Sequence, residues 1–122
     1  MEVQLADLID RITIVRLKLE RIGNPIFKDE LLKCEQAIEE FKKKGIIIKN
    51  KWFDQLYGVN GEEWDFLSKI YDEKRGKCNL EKIGKLYLDT ENLNKKRMEI
   101  KNKIVKETHT GFLEIKANHV SA

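Results

Sequence analysis

The chain has 122 residues and 14.4 kDa, enough for one domain with a real core but short enough for oligomerisation to help it. Its 41% hydrophobic content supports folding, its 37% charged content suits long exposed helix faces, and one proline allows those helices to run uninterrupted. The 24 basic and 21 acidic side chains nearly cancel, at net +3, which gives little support to nucleic-acid binding. The triplet Ile46 to Ile48 is the longest apolar run considered as a span and is far too short to cross a bilayer.

The first predicted helix covers about Gln4 to Ile22. Leu5, Leu8, Ile12, Val15, Leu19 and Ile22 recur at steps of three and four, a heptad seam. Ile9, Ile14 and Leu17 widen that face, which favours a bundle over a two-stranded coil. Asp7 and Arg11 are spaced for a local ion pair. Gly23 stops the helix, and Asn24-Pro25 turns the chain into a second one, from Pro25 or Lys28 to Lys44. Phe27, Leu31, Cys34, Ile38 and Phe41 form its apolar face, Lys42 to Lys44 suit its C-terminal dipole, and Gly45 ends it. The short loop implies an antiparallel hairpin.

The β-branched triplet Ile46 to Ile48 suits a short strand, but with no partner strand evident elsewhere it reads as an apolar connector packed on the bundle. A third helix is expected from Lys51 to about Lys74, with Trp52, Phe53, Leu56, Val59, Leu67 and Ile70 on one face. Gly58 and Gly61 oppose it, each by about 1 kcal/mol against alanine, and Asn60-Gly61 is a turn signal, so a break near Asn60 is the alternative. After a loop at Arg75 to Cys78, Asn79 caps a fourth helix from about Leu80 to Lys106. Ile83, Leu86, Thr90, Leu93, Arg97, Ile100 and Ile104 form its seam; its length suggests that part of it projects or meets another subunit. Phe112, Leu113 and Ile115 are placed to anchor a short C-terminal tail. The expected fold is all-α: an antiparallel bundle of about four helices with that tail packed on it.

The polar residues carry the functional signal. Asn94, Arg97 and Lys101 share a helix face flanked by Leu93, Ile100 and Ile104, where amide and cationic groups are costly unless paired. Arginine offers a planar fork and lysine a point charge, so together they suit an anionic group; the bland alternative is an internal network with Asp10, Glu63 or Glu114. Asp10, Thr13 and Lys18 flank the seam of the first helix and would join the cluster only by facing Arg97 or Lys101. Trp64 beside Asn60 could stack on a sugar or base, although a packing role is the simpler account. The wider lysine run from Lys95 points around the helix and reads as a solvated face.

Several chemistries lack support. His109 and His119 form no HExxH or paired-cysteine site, so no metal or other cofactor is expected. Glu35, Glu39, Glu40, Glu62 and Asp65 supply only a fragment of the carboxylate cluster of helical magnesium-dependent nucleotide pyrophosphatases, since the EExxE half is missing. There is no glycine-rich phosphate loop, GxSxG or Cys–His pair. Cys34 and Cys78 lack CxxC spacing and read as reduced cytosolic thiols, and the acidic, amphipathic N-terminus does not read as a signal peptide.

With these residues in view, the chain resembles a family of small all-helical bacterial and phage proteins of unknown function, often encoded among glycosyltransferase and surface-polysaccharide genes. The resemblance lies in LIDRITIVRLKLERI at 8 to 22, VNGEEW at 59 to 64, NKKRMEIKNKI at 94 to 104 and FLEIK at 112 to 116. It implies Asp10, Thr13, Lys18, Asn60, Trp64, Asn94, Arg97, Lys101, Glu114 and Lys116 as the family's polar and aromatic positions, and supplies no activity. The resulting expectation is a cytoplasmic, self-associating interaction or ligand-binding module, non-enzymatic, with a homo-oligomeric partner and an anionic ligand such as a phosphate or sugar nucleotide. The competing expectation is an enzyme in which Arg97 and Lys101 clamp a phosphate and Glu114 or His119 moves a proton.

Overall fold

The computed structural model describes residues 3–76 and 79–113. Four α-helices make up the fold: α1 (Leu5–Arg21), α2 (Ile26–Lys43), α3 (Asn50–Arg75) and α4 (Leu80–Thr108), with no strand among the described residues. They run up, down, up and down. Asp10 meets Arg97 and Asp7 meets Lys101, so α1 and α4 are antiparallel. Glu73 meets Lys82 and Lys49 meets Glu107, so α3 and α4 are antiparallel too. Gly61 passes Leu17 and Asp65 meets Arg21, which sets α3 parallel to α1.

α1 is the hub because its sequence is apolar over more than one face. Leu5, Leu8, Ile9, Ile12, Val15 and Leu17 are all buried, and α1 packs closely on each of the other helices, whereas the close backbone approach of α2 is to α1. The main core joins these residues to Cys34 and Ile38 of α2, Trp52 and Leu56 of α3, and Ile104 and Val105 of α4. The seam stops short of its expected end, since Ile22 is exposed. Asp7 and Arg11 do not pair with each other. Across the bundle, Asp7 meets Lys101 and Arg11 meets Glu30, because each finds a partner on a neighbouring helix within reach.

The connector at 46–48 behaves as expected: Ile46 and Ile48 pack against the core and Ile47 points out. α3 is one helix, without a break at Asn60. The turn propensity of Asn60-Gly61 yields because the Asn60 side chain is spent on α1 and Gly61 is buried against it. A Cβ on Gly61 would sit 3.6 Å from Arg21 Nη2 and 3.7 Å from Leu17, ordinary contact distances, so the glycine is not sterically required there.

Asn79 caps α4 as its sequence position suggests, accepting from the Lys82 N–H at 3.1 Å. At the other end His109 takes a left-handed conformation, φ 55°, and closes the helix. The chain then touches the bundle through the Phe112 N–H, which donates to Gln4 Oε1 at 3.4 Å. Phe112 and Leu113 are exposed and do not provide the apolar anchor expected of them; Ile115 lies outside the described residues.

The helix lengths differ. At about 1.5 Å per residue, α1 spans about 26 Å, while α3 and α4 span about 39 and 44 Å. α1 ends at Arg21, level with Asp65. Beyond that level α3 and α4 continue together as a two-helix arm with its own small core of Phe66, Ile70, Ile83 and Leu86.

Candidate functional site

The centre of the polar cluster is Asp10, one of the few charged side chains buried in the bundle. It projects from α1 towards α3 and α4 at once, since positions 10, 13 and 17 share one face. The Arg97 guanidinium of α4 forks onto its carboxylate: Nε donates to Oδ1 and Oδ2 at 2.9 and 3.1 Å, and Nη2 donates to Oδ2. From α3, Asn60 Nδ2 donates to Asp10 Oδ1 at 2.8 Å and to Thr13 Oγ1 at 2.9 Å. Thr13 Oγ1 in turn donates to the Asp10 carbonyl at 2.7 Å. Three helices are thus tied through one carboxylate whose acceptor sites are well used.

A turn away, Lys101 is buried and its Nζ lies 2.7 Å from Asp7 Oδ1. Asn94 is exposed rather than turned into the core as its flanking isoleucines suggested. With its amide nitrogen turned to α3, it donates to Glu63 Oε1 and Oε2 at 3.0 and 3.2 Å. Its oxygen in that place would set acceptor against acceptor. Glu63 is half-buried, and burial pushes its carboxyl above the ordinary value; Arg97 opposes the shift and Asp10 adds to it.

Beside this network runs a groove of about 530 Å³, lined by Ile14 and Leu17 of α1, Arg97 of α4, and Asn60, Glu63, Trp64, Leu67, Ser68, Tyr71 and Asp72 of α3. Arg21 lies over the Trp64 ring, 5.5 Å from its centroid, and bonds Asp65 at 2.6 Å. The groove is a consequence of the helix lengths: it follows the path of α1 past the end of that helix.

The structure therefore gathers Asp10, Thr13, Asn60 and Arg97 into one network and sets Asn60, Trp64 and Arg97 on one groove. Lys101 and Asn94 each join a separate pair next to it. Lys18 does not enter the cluster; its ammonium sits over the Phe27 ring of α2 at 5.7 Å. Glu114, Lys116 and His119 lie outside the described residues. Two further groups belong to the site: Glu63, which the sequence had offered as a partner in an internal network, and Asp7, whose available signal was its place one helical turn before Asp10.

Among the described residues no group of three or more His, Cys, Asp or Glu side chains is placed to hold a metal. Nor is any helix among them long and apolar enough to cross a membrane. Cys34 is buried and unpaired in a disulfide, and burial pushes its thiol up.

Fold and site together define a small up-down four-helix bundle with a buried ionic network at the mouth of an apolar groove. Comparison with models of known families, with curated proteins and with solved structures returns no match.

Proposed function

We propose that this chain is a non-enzymatic, self-associating helical interaction module, working in the cytoplasm, whose polar cluster fixes the register of its helices. The observation that carries this reading is the pairing of Asp10 with Arg97 and of Asp7 with Lys101. Each cation that could clamp an anion is met by a carboxylate from α1. A phosphate would have to compete with a preorganised bidentate partner for Arg97. Such a network sets helix order and register, the best-attested use of buried ion pairs. The exposed apolar residues of the arm, Leu67, Tyr71, Tyr87 and Leu88, support self-association. The membership suggested by the sequence resemblance is part of the same proposal and adds no activity to it.

Sedimentation equilibrium over a wide concentration range tests the reading. A mass that rises with concentration is expected; a monomer throughout would overturn it.

One observation favours a second reading, ligand binding or catalysis on a phosphorylated or sugar-nucleotide metabolite. Glu63, raised by burial, stands with Arg97, Asn60 and Trp64 on a groove large enough for a small molecule. A thermal-shift screen with nucleotides, sugar nucleotides and divalent metals separates the two. A shift abolished by Glu63→Gln would favour the second reading, and silence across the panel the first.

A further inference from the structure

The end of the bundle opposite the arm gathers the start of α1, the end of α2, the start of α3 and the end of α4. Lys42, Lys43 and Lys44 close α2, Lys49 and Lys51 open α3, and Lys103 and Lys106 lie in the last two turns of α4; all are exposed. Glu107 stands among them and accepts from Lys49 Nζ at 3.0 Å. Its carboxyl is held below the ordinary value by that bond first, with burial opposing and the charges of Lys49, Lys51 and Lys103 adding to it. Asp7, Glu39, Glu40 and Asp54 lie further from this end, and the first three pair with Lys101, Lys42 and Lys43. Lys44, Lys51, Lys103 and Lys106 make no ion pair with a carboxylate among the described residues.

Folding accounts for part of this. Cations in the last turns of α2 and α4 suit the negative ends of those helices. Lys49 and Lys51 stand at the positive end of α3, where the first turn holds no acidic residue and the Lys49 side chain caps nothing. The same end leaves large apolar side chains in solvent. Ile47 is 80% exposed, between Ile46 and Ile48, which pack on the core. Phe112, held beside Gln4 at the start of α1, is 79% exposed, and Leu113 and Val3 are exposed with it. Lysine is a point charge on a long apolar stem, suited to diffuse attraction by many anionic headgroups rather than to forked recognition of one. The arginines, Arg11, Arg16, Arg21, Arg75 and Arg97, all lie elsewhere. An isoleucine at a loop tip offers no ring to stack on a base, yet gains by entering hydrocarbon.

We infer that this end of the bundle rests on an anionic lipid bilayer, its lysines at headgroup level and Ile47 and Phe112 entering the interface. The arm then stands away from the lipid, in solution. Such a contact lies on the membrane and needs no spanning helix. It is independent of self-association.

Vesicle co-sedimentation of the full chain tests it. Binding is expected to vesicles of equimolar phosphatidylcholine and phosphatidylserine and not to phosphatidylcholine alone, weakening ~10-fold or more between low salt and about 0.5 M salt. Lys51→Glu with Lys103→Glu changes two exposed side chains and is expected to weaken binding ~10-fold or more with helicity intact. Ile47→Ser keeps every charge and is expected to weaken it ~3-fold or more. In a Cys78→Ser background, where Cys34 is buried, a polarity-sensitive dye on Ile47→Cys is expected to brighten on the anionic vesicles. The same dye on Leu88→Cys, exposed on the arm, is expected not to. No binding to the anionic vesicles, or a dye at position 47 that stays dark on them, would overturn the inference. Duplex DNA bound more tightly than the vesicles, with Ile47→Ser without effect on either, would mark a nucleic-acid surface and overturn it as well.

Discussion

The base of the bundle and the arm are built from the same two long helices, yet they are stabilised differently. At the base α1 is inserted against α3 and α4, and Leu5, Ile9, Ile12, Trp52, Leu56 and Ile104 are almost wholly buried. In the arm, among the described residues, α3 and α4 have only each other, and the large apolar side chains Leu67, Tyr71, Leu80 and Leu88 stand exposed. What differs is whether a third helix covers the face. Helix formation is therefore sustained along the whole of α3 and α4 by local hydrogen bonding and a narrow seam, while tertiary stability is concentrated at the base.

The sharpest way to test that contrast is to remove the network holding the base. Asp10→Ala would take from the partly buried Arg97 its bidentate carboxylate and from the buried Asn60 one of its two acceptors. A loss of about 3–5 kcal/mol is expected, read as a fall in chemical-denaturation midpoint. Next come paired truncations of the two cores. Leu56→Ala at the base is expected to cost about 3 kcal/mol and to accelerate amide exchange across all four helices. Ile70→Ala in the arm is expected to cost about 2 kcal/mol, with faster exchange confined to the arm. Equal and global effects from both would show that the arm and base unfold as one unit.

A smaller effect is expected at Gly58, an exposed position inside α3 where an added Cβ meets nothing within 4 Å. Gly58→Ala should stabilise by about 1 kcal/mol, visible as a higher melting temperature.

The smallest effect concerns Glu63, at the junction of the two regions. Folding raises its carboxyl above the ordinary value, so ionising it costs stability. Its contribution is complete below the unfolded-state value and is lost as pH rises through the folded one. Glu63→Gln, which stays neutral, is expected to be more stable than wild type at pH 7 by no more than about 0.5 kcal/mol, since solvent screens much of the effect at a half-buried group. That advantage should disappear below the ordinary carboxylate range; an advantage that grows with acid would contradict the assignment.

Much of this fold is legible in the chain. The heptad steps of α1 and α2, the glycine stops at Gly23 and Gly45 and the Asn79 cap all lie where the sequence indicates, because each is a local effect of period or backbone conformation. The continuity of α3 was less legible. Gly58 and Asn60-Gly61 argue against a helix locally; the heptad continuing from Phe53 and Leu56 through Asn60 favoured continuity, and the hydrogen bonds of Asn60 to α1 add to it. At the site, the inward turn of Arg97 and Lys101 followed from their place on an apolar seam. Of their partners, Asp10 was one of several carboxylates the sequence offered to Arg97, whereas Asp7 was offered only to Arg11; both lie most of the chain away from the cations they meet. Asn94, on the same nominal face, is exposed, because the seam of α4 meets α1 at Arg97 and α3 at Glu63 and cannot bury every flank.

By itself, then, the sequence determined the four helices, their apolar faces and the presence of costly charges on one of them. These depend on neighbours within a few turns. The tertiary structure alone decided which carboxylates those charges would neutralise, that Lys18 would turn to α2, and that α3 and α4 would continue together past the end of α1. These depend on where helices distant in the chain come to lie, which no local period encodes.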